Sequence, residues 1–212
     1  MNSKEIIIVC CGSFNPIHDL HLLIFELVKN NFQLQNRKVI KGIISPVNDN
    51  YKKPELISAE HRVAMCKEAV KTSDWIIVDD WESKQQQYVR TYNVLKHIRE
   101  IYGEQYDIFF IGSDDLLDGM MNPKCWDQTL LEKLLDEFGF VLLNRLHTNL
   151  KEKVESYPLF KKYIDHIHIF ETFKAQHSST EIRSLLKQGL SVKYMTPDCV
   201  IDYIHTHNLY QE

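Results

Sequence analysis

Two histidines three residues apart follow a short apolar segment and a glycine near the start of the chain. The segment Ile6–Cys11 leads into Gly12 and Ser13, and His18 and His21 come shortly afterwards. A glycine lets a phosphate approach the backbone, and the unpaired N–H groups of a helix start attract anions. Residues three apart share one face of a helical turn. The pattern therefore predicts a phosphate site with both imidazoles among its donors.

A second group of possible anion donors lies near the C-terminus. Ser179 and Thr180 precede Arg183 by about one helical turn. Taken alone, this arrangement is more typical of a helix cap followed by a solvated face. Combined with the first group it offers hydroxyls, backbone N–H groups and a guanidinium as a second anion site. Two such sites suit a triphosphate.

The histidine pair has two other interpretations, a surface pair on an amphipathic helix and a zinc chelate. The first is ordinary for an isolated pair, but it does not explain the preceding strand, glycine and serine. Zinc requires a third ligand, and no further Cys or His lies in the segment from Gly12 to Leu34 that holds both histidines. Metal ligation by side chains is therefore not expected.

Apolar strand-like segments alternate with amphipathic helical ones along the whole chain. This alternation predicts an α/β protein with a Rossmann-like, doubly wound parallel sheet of about six strands, helices on both faces and a small helical C-terminal part. We expect a single domain over residues 1–212. The predicted strands are Ile6–Cys11, Lys38–Ser45, Trp75–Val78, Asp107–Ile111, Phe140–Leu143 and His166–Phe170. Helices are predicted from Leu20, over Ser58–Val70, Ser83–Ile101, Thr129–Phe138 and Ser179–Gln188, and from Pro197.

Charge and composition narrow the classes of function. The formal net charge is −4 without a basic block, so nucleic-acid binding is not expected. The five cysteines have no CxxC spacing, which favours buried thiols in a reducing compartment. The sequence enters its first strand almost at once and has no membrane-length apolar run. We expect an intracellular, cytoplasmic and/or nuclear protein that does not bind membranes.

Several segments together resemble one family. GSFNPIHDLH (residues 12–21) is similar to the first signature of the nucleotidyltransferase superfamily, and SSTEIR (178–183) resembles its second. Between them lie GIISPVNDNYKK (42–53), WES (81–83), GSDDL (112–116) and Trp126, and TPDCVIDYIHTHNLY (196–210) follows. This ordered set resembles the eukaryotic-type nicotinamide/nicotinate mononucleotide adenylyltransferases. The chain departs from common patterns at three positions, Leu20 for Gly, Pro54 for Lys and Tyr88 for Trp.

The resemblance implies adenylyl transfer from ATP to nicotinamide or nicotinate mononucleotide, giving NAD or deamido-NAD and pyrophosphate. Mg²⁺ would be held mainly by the phosphates, and residues 178–212 would complete the ATP site. The implied catalytic residues are His21, His18, Arg183 and Lys53. Those implied for ATP binding are Gly12, Ser13, Phe14, His21, Ser179, Thr180, Ile182 and Arg183.

A second set of residues is implied for the mononucleotide and dinucleotide: Ser13, Lys53, Trp81, Tyr88, Thr91, Gly112, Asp114, Trp126 and Arg145. The aromatic members could equally belong to the core. Tyr88 and Thr91 are expected to share a helix face, with the Tyr88 ring against the pyridine. Arg145 could bind a phosphate or carboxylate, or be an ordinary arginine at a strand end. The pairs His166/His168 and His205/His207 are expected to point outward without a role.

Alternatives remain at the level of function. Another adenylyl- or cytidylyltransferase of the superfamily and a non-catalytic, chaperone-like nucleotide-binding relative are the rivals. A classical dinucleotide-binding dehydrogenase is disfavoured because no G-x-G-x-x-G follows a strand. The sequence does not decide between the two mononucleotides. The family suggests a homo-oligomer.

Overall fold

The computed structural model describes residues 4–144, 149–172 and 177–211 of the chain. The chain forms two compact units, each assembled from three segments. Unit 1 comprises Met1–Cys10, Leu27–Gly42 and Arg90–Lys174, and unit 2 comprises Cys11–Glu26, Ile43–Val89 and Ala175–Glu212. The single domain expected over residues 1–212 stays a prediction.

Six strands form one parallel sheet, which confirms the predicted α/β class. Their order is β3-β2-β1-β4-β5-β6. The direction of winding along the sheet reverses between β1 and β4. In folds of this kind, ligands bind beyond the carboxyl ends of the strands at such a reversal. The strands are β1 (Glu5–Gly12), β2 (Val39–Pro46), β3 (Ile76–Val78), β4 (Tyr106–Ser113), β5 (Gly139–Asn144) and β6 (Ile167–Glu171).

Most helices of the described residues lie in the connections between strands, and the last two follow β6. They are α1 (Asp19–Leu34), α2 (Ala59–Ala69), α3 (Thr91–Tyr102), α4 (Asp114–Met120), α5 (Gln128–Glu137), α6 (Leu150–Ser156), α7 (Pro158–Lys162), α8 (Ser179–Lys187) and α9 (Asp198–Thr206). Short 3₁₀ turns occupy Glu82–Lys84 and Ile164–His166. None of the helices described in these three ranges is both long and apolar enough to cross a membrane.

The long helix predicted over Ser83–Ile101 is wrong. A 3₁₀ turn ends at Lys84, and α3 begins only at Thr91. The intervening carbonyls are bound by side chains of another loop, since Asn48 Nδ2 donates to the Gln85 and Gln87 carbonyls and Asn50 Nδ2 to that of Gln86. These contacts compete with helix formation. Tyr88 and Thr91 therefore do not share a helix face.

The acidic segment after β4 is helical. Ser113 is the N-cap of α4, and Asp114 and Asp115 lie in its first turn. Carboxylates are favoured there because the helix dipole is positive at its N-terminus. The sequence analysis does not predict this helix, nor α6 and α7.

One histidine that was expected to point outward packs against aromatic rings of unit 1. His168 lies in β6 and its ring contacts Phe32, Phe109 and Phe170. Burial, and then the charge of Arg37, lower the pKa of His168. The prediction that His168 points outward is therefore wrong. His166 precedes β6, which begins at Ile167, so the two histidines do not lie on one strand as predicted.

Candidate active site

The loop after β1 and the first turn of α1 bring the two predicted histidines together in unit 2. The His18 and His21 rings stack with centroids 3.7 Å apart. The His18 backbone N–H donates to His21 Nδ1 at 3.2 Å. Since Nδ1 accepts, the proton of a neutral His21 ring is on Nε2, which is then a donor. Phe14 packs edge-on against His21 with centroids 5.0 Å apart, so His21 is held by contacts on two sides.

The second predicted donor group lies against the same loop. Ser179 Oγ donates to the Pro16 carbonyl at 2.9 Å, and Arg183 Nη1 donates to the Asn15 carbonyl at 2.9 Å. Arg183 is only 5% exposed. The structure thus brings the two signature segments together within one compact unit. Thr180 is exposed in the first turn of α8, Ile182 is buried, and Ser178 rather than Ser179 caps the helix by accepting from the Glu181 N–H.

Asn15 organises the loop, although the sequence analysis gave it no role. Its Oδ1 accepts from the Tyr210 hydroxyl at 2.8 Å, and its Nδ2 donates to the Glu55 carbonyl at 2.8 Å. The hydroxyl of Thr196 donates to the Ile17 carbonyl at 2.8 Å. Residues near the C-terminus therefore fix the loop, which gives the predicted helical subregion 178–212 a structural part in it.

Arg62 is a second residue that the sequence analysis missed. Its side chain is fully buried and donates from Nη1 to the Ser13 carbonyl at 2.9 Å. It also donates to the carbonyls of Ile57 at 2.9 Å and Val47 at 2.7 Å, and pairs with Asp49 at 3.2 Å. A buried guanidinium needs such partners. Arg62 is thus the support of the glycine–serine turn.

Lys53 lies beside the turn. Its Nζ donates to Ser13 Oγ at 3.1 Å. Loss of hydration, and then the positive charge of Arg183, lower the pKa of Lys53. Lys53 and Arg183 thus repel one another close to Ser13 and the histidine pair. An anion bound there would reduce this repulsion. Arg183 also forms an ion pair with Glu55.

Two of the predicted pyridine-binding aromatics also lie in unit 2. The Tyr88 ring is exposed and stacks on Tyr51 with centroids 5.7 Å apart and planes at 26°. Trp81 is half-buried and precedes Glu82, which is 3% exposed. Ser45 Oγ donates to Glu82 Oε2 at 2.6 Å. Burial raises the pKa of Glu82 to about 7, against the opposing effects of the Ser45 hydrogen bond and Arg62.

The other residues predicted for the mononucleotide belong to unit 1. Thr91 begins α3, Trp126 is half-buried before α5, and Asp114 is 2% exposed at the start of α4. A Cβ at Gly112 would lie 2.8 Å from both Leu116 Cδ2 and Phe140 Cε2, so packing alone requires this glycine. Arg145 lies outside the described residues.

The donors of this loop differ from those of a metal centre. Within residues 4–144, 149–172 and 177–211, no three His, Cys, Asp or Glu side chains are grouped as metal ligands. The loop and first turn of α1 present imidazole and hydroxyl groups, and Lys53 and Arg183 add an ammonium and a guanidinium from outside the loop. Such groups suit phosphate oxygens. The chemistry here is that of an anion site.

Comparison with known proteins identifies the family. Residues 9–185 match the model of the cytidylyltransferase-like family. The chain is 35% identical over 215 residues to a nicotinamide/nicotinic acid mononucleotide adenylyltransferase of Arabidopsis thaliana, covering 98% of this chain and 90% of that protein. It is 33% identical over 221 residues to the adenylyltransferase 2 of that name from Caenorhabditis elegans, covering 99% of each. The chain belongs to the nicotinamide/nicotinic acid mononucleotide adenylyltransferase family.

The fold of this adenylyltransferase family member is shared with a solved structure. A Plasmodium falciparum nicotinic acid mononucleotide adenylyltransferase complexed with NaAD has a TM-score of 0.75 at 24% identity, over 97% of both chains. The same Plasmodium enzyme is also solved in complex with APC. At this identity the likeness establishes the fold, and it confirms the Rossmann-like class. The family assignment confirms the resemblance read from the sequence motifs.

Proposed function

We propose that this chain is an enzyme of NAD biosynthesis that makes NAD or deamido-NAD and pyrophosphate from ATP and nicotinamide or nicotinate mononucleotide. Family membership over nearly the whole chain supports the reaction. The observation that carries the proposal is the hydrogen bond of Arg183 to Asn15, in the loop that bears His18 and leads to His21 of α1. It places guanidinium and imidazole donors of both signatures in one compact unit.

The reaction requires positioning and charge stabilisation rather than covalent catalysis. A phosphate oxygen of the mononucleotide attacks the α-phosphorus of ATP, forming a new P–O bond. The bond from the α-phosphorus to the oxygen bridging the β-phosphorus breaks in line, and pyrophosphate leaves with the electron pair. The nucleophile is already an anion, so no general base is needed. Donors aimed at the developing charge supply the rate enhancement.

The proposed roles follow from the donor atoms. His21 donates from Nε2 to an ATP phosphate, with His18 stacked on it. The Gly12–Ser13 backbone and Lys53 bind the phosphates from the loop, and Arg183 from α8. Phe14, Ser179, Thr180 and Ile182 complete the ATP contacts.

Mg²⁺ fits this donor set as a partner of ATP rather than of the protein. Mg²⁺ prefers oxygen ligands and keeps few protein contacts in phosphate-transfer sites, while the loop offers mainly cations and N–H groups. When bound it neutralises phosphate charge. The chain's own groups would hold the phosphates that carry it.

Within unit 2, binding of the pyridine mononucleotide is assigned to Trp81 and Tyr88. The roles expected for Thr91, Gly112, Asp114, Trp126 and Arg145 stay predictions from the sequence. We also propose a homo-oligomer in the cytoplasm and/or nucleus, without nucleic-acid partners. The net charge of −4 supports the last point.

Substrate profiling tests this function. Purified protein is incubated with Mg²⁺ and ATP or CTP, and with nicotinamide mononucleotide, nicotinate mononucleotide or pantetheine phosphate as acceptor. Chromatography scores dinucleotide, and a coupled assay scores pyrophosphate. We expect both products from ATP with at least one pyridine mononucleotide. Product only with CTP or pantetheine phosphate would favour another transferase of the superfamily, and no product with any pair would favour a non-catalytic relative.

A further inference from the structure

Two cations of α8 bind the carboxylate of Glu55. Arg183 Nη2 donates to its Oε2 at 3.2 Å, and Lys187 Nζ donates to its Oε1 at 2.7 Å. The Glu55 side chain is 49% exposed, whereas that of Arg183 is 6% exposed. Hydrogen bonds from Lys187 and then from Arg183 lower the pKa of Glu55. An ionised carboxylate therefore already neutralises part of the charge of α8.

The backbone of Glu55 has an unusual conformation. Its φ of 57° lies in the left-handed region, which residues with a Cβ adopt at a conformational cost. Asn15 Nδ2 donates to the Glu55 carbonyl at 2.8 Å and holds the segment there. A glycine would accept this conformation without cost.

We propose that Glu55 is an internal anion that occupies Arg183 and Lys187 until a polyphosphate displaces it. The inference rests on the proposed function, because it takes Arg183 to be a phosphate-binding group. Carboxylate and phosphate oxygens accept the same hydrogen bonds from guanidinium and ammonium groups. Either anion can therefore satisfy these donors, but they compete for the same atoms.

The replacement of Glu55 by a polyphosphate can be explained for both the nucleotide-free and the polyphosphate-bound protein. Without nucleotide, Glu55 compensates a guanidinium that burial would otherwise leave poorly paired. When a polyphosphate binds, it accepts the hydrogen bonds of Arg183 and Lys187 because it is the more highly charged anion. The half-exposed Glu55 side chain then rotates into the solvent. The competition weakens the binding of the product pyrophosphate and so favours its release.

Calorimetric titration with inorganic pyrophosphate, with and without Mg²⁺, tests the proposal on the full chain. The variants Glu55→Gln and Glu55→Gly both remove the competing charge, and glycine also suits the backbone conformation. We expect each to bind pyrophosphate about tenfold more tightly than wild type. Asp202→Asn removes an equal charge from an exposed residue of α9 and should leave the Kd within about twofold. If Glu55→Gln does not fold, Glu55→Gly still gives the answer.

Repeating the Glu55 substitution in a Lys187→Gln protein shows whether the gain in pyrophosphate affinity depends on Lys187. Because part of the gain should come from Lys187, replacing Glu55 by Gln in a Lys187→Gln protein should give a smaller gain than in wild type. Pyrophosphate affinity that is unchanged or weaker in both Glu55 variants would overturn the proposal, since it would mean that the carboxylate only holds Arg183 in place. Dinucleotide formation, measured in parallel, separates the two claims. If the wild type forms dinucleotide but the Glu55 variants bind pyrophosphate no more tightly than it does, only the exchange is refuted. If the variants bind pyrophosphate more tightly but the wild type forms no dinucleotide, only adenylyl transfer is refuted.

Discussion

Arg183 Nη1 donates to the carbonyl oxygen of Asn15 at 2.9 Å, across 168 residues of sequence. Asn15 lies between the glycine turn and His18, so the guanidinium is anchored to the loop that carries the imidazoles. This bond joins two distant sequence signatures whose side chains we propose to bind phosphate.

Lys53 should impose an alkaline limit on ATP binding. Its pKa is lowered, chiefly by loss of hydration and also by Arg183, and its proposed role requires the protonated form. As the pH rises through the lowered pKa the charge is lost, and the KM for ATP should rise at a lower pH than for an ordinary lysine. Lys53→Arg stays charged and should move this rise to higher pH. Measuring the KM for ATP between about pH 7 and pH 10 checks this, and identical profiles would remove Lys53 from phosphate binding.

Glu82 should make stability depend on pH. Burial raises its pKa in the folded chain from 4.5 to about 7. Below pH 4.5 both states are protonated, and between the two values only the unfolded state ionises. The free energy of unfolding should therefore fall by about 3 kcal/mol in total as pH rises through this window. Above the window this contribution should be constant.

The Glu82→Gln variant isolates this contribution, because a neutral amide cannot titrate. Urea unfolding at a series of pH values should show the wild type losing stability relative to the variant as pH rises from about 4.5 to about 7. A difference between the two proteins that does not change with pH would show that Glu82 is ionised in both states.

Tyr88 should affect the mononucleotide more than ATP. Its ring is exposed and stacks on Tyr51 at 5.7 Å, as suits a surface onto which a pyridinium ring can stack. Aromatic stacking contributes about 0.5–1.5 kcal/mol, so Tyr88→Ala should raise the KM for the mononucleotide by roughly two- to tenfold. The KM for ATP should not change. Tyr88→Phe keeps the ring and serves as the control, and an equal loss in both variants would point to the hydroxyl instead.

Much of the site could be predicted because its signals are local. The apolar strand, the glycine–serine turn and the two histidines lie within a continuous segment, and residues three apart meet on a helix whatever the rest of the chain does. His18 and His21 accordingly stack at 3.7 Å. The sheet could be predicted for the same reason, since strand and helix patterns alternate along the chain.

The supporting contacts could not be predicted because they depend on distant residues. Arg62 reaches the Ser13 carbonyl across 49 positions, and no local pattern marks it as buried. The helix predicted from Ser83 failed for a similar reason, since Asn48 and Asn50 bind the carbonyls of a segment more than 35 residues away. Periodicity reports which residues could be helical, not which partners compete for their backbone.

The most direct measurement of the central claim is the kcat for dinucleotide formation by His21→Ala, with the melting temperature as a check on folding. Removing one donor to a transition-state charge typically costs about 2.7–4 kcal/mol, so kcat should fall by roughly 10²–10³-fold in a protein that still melts cooperatively near the wild-type temperature. His205→Ala, on the exposed side of α9, should keep the wild-type kcat. A folded His21→Ala protein with wild-type kcat would contradict the account.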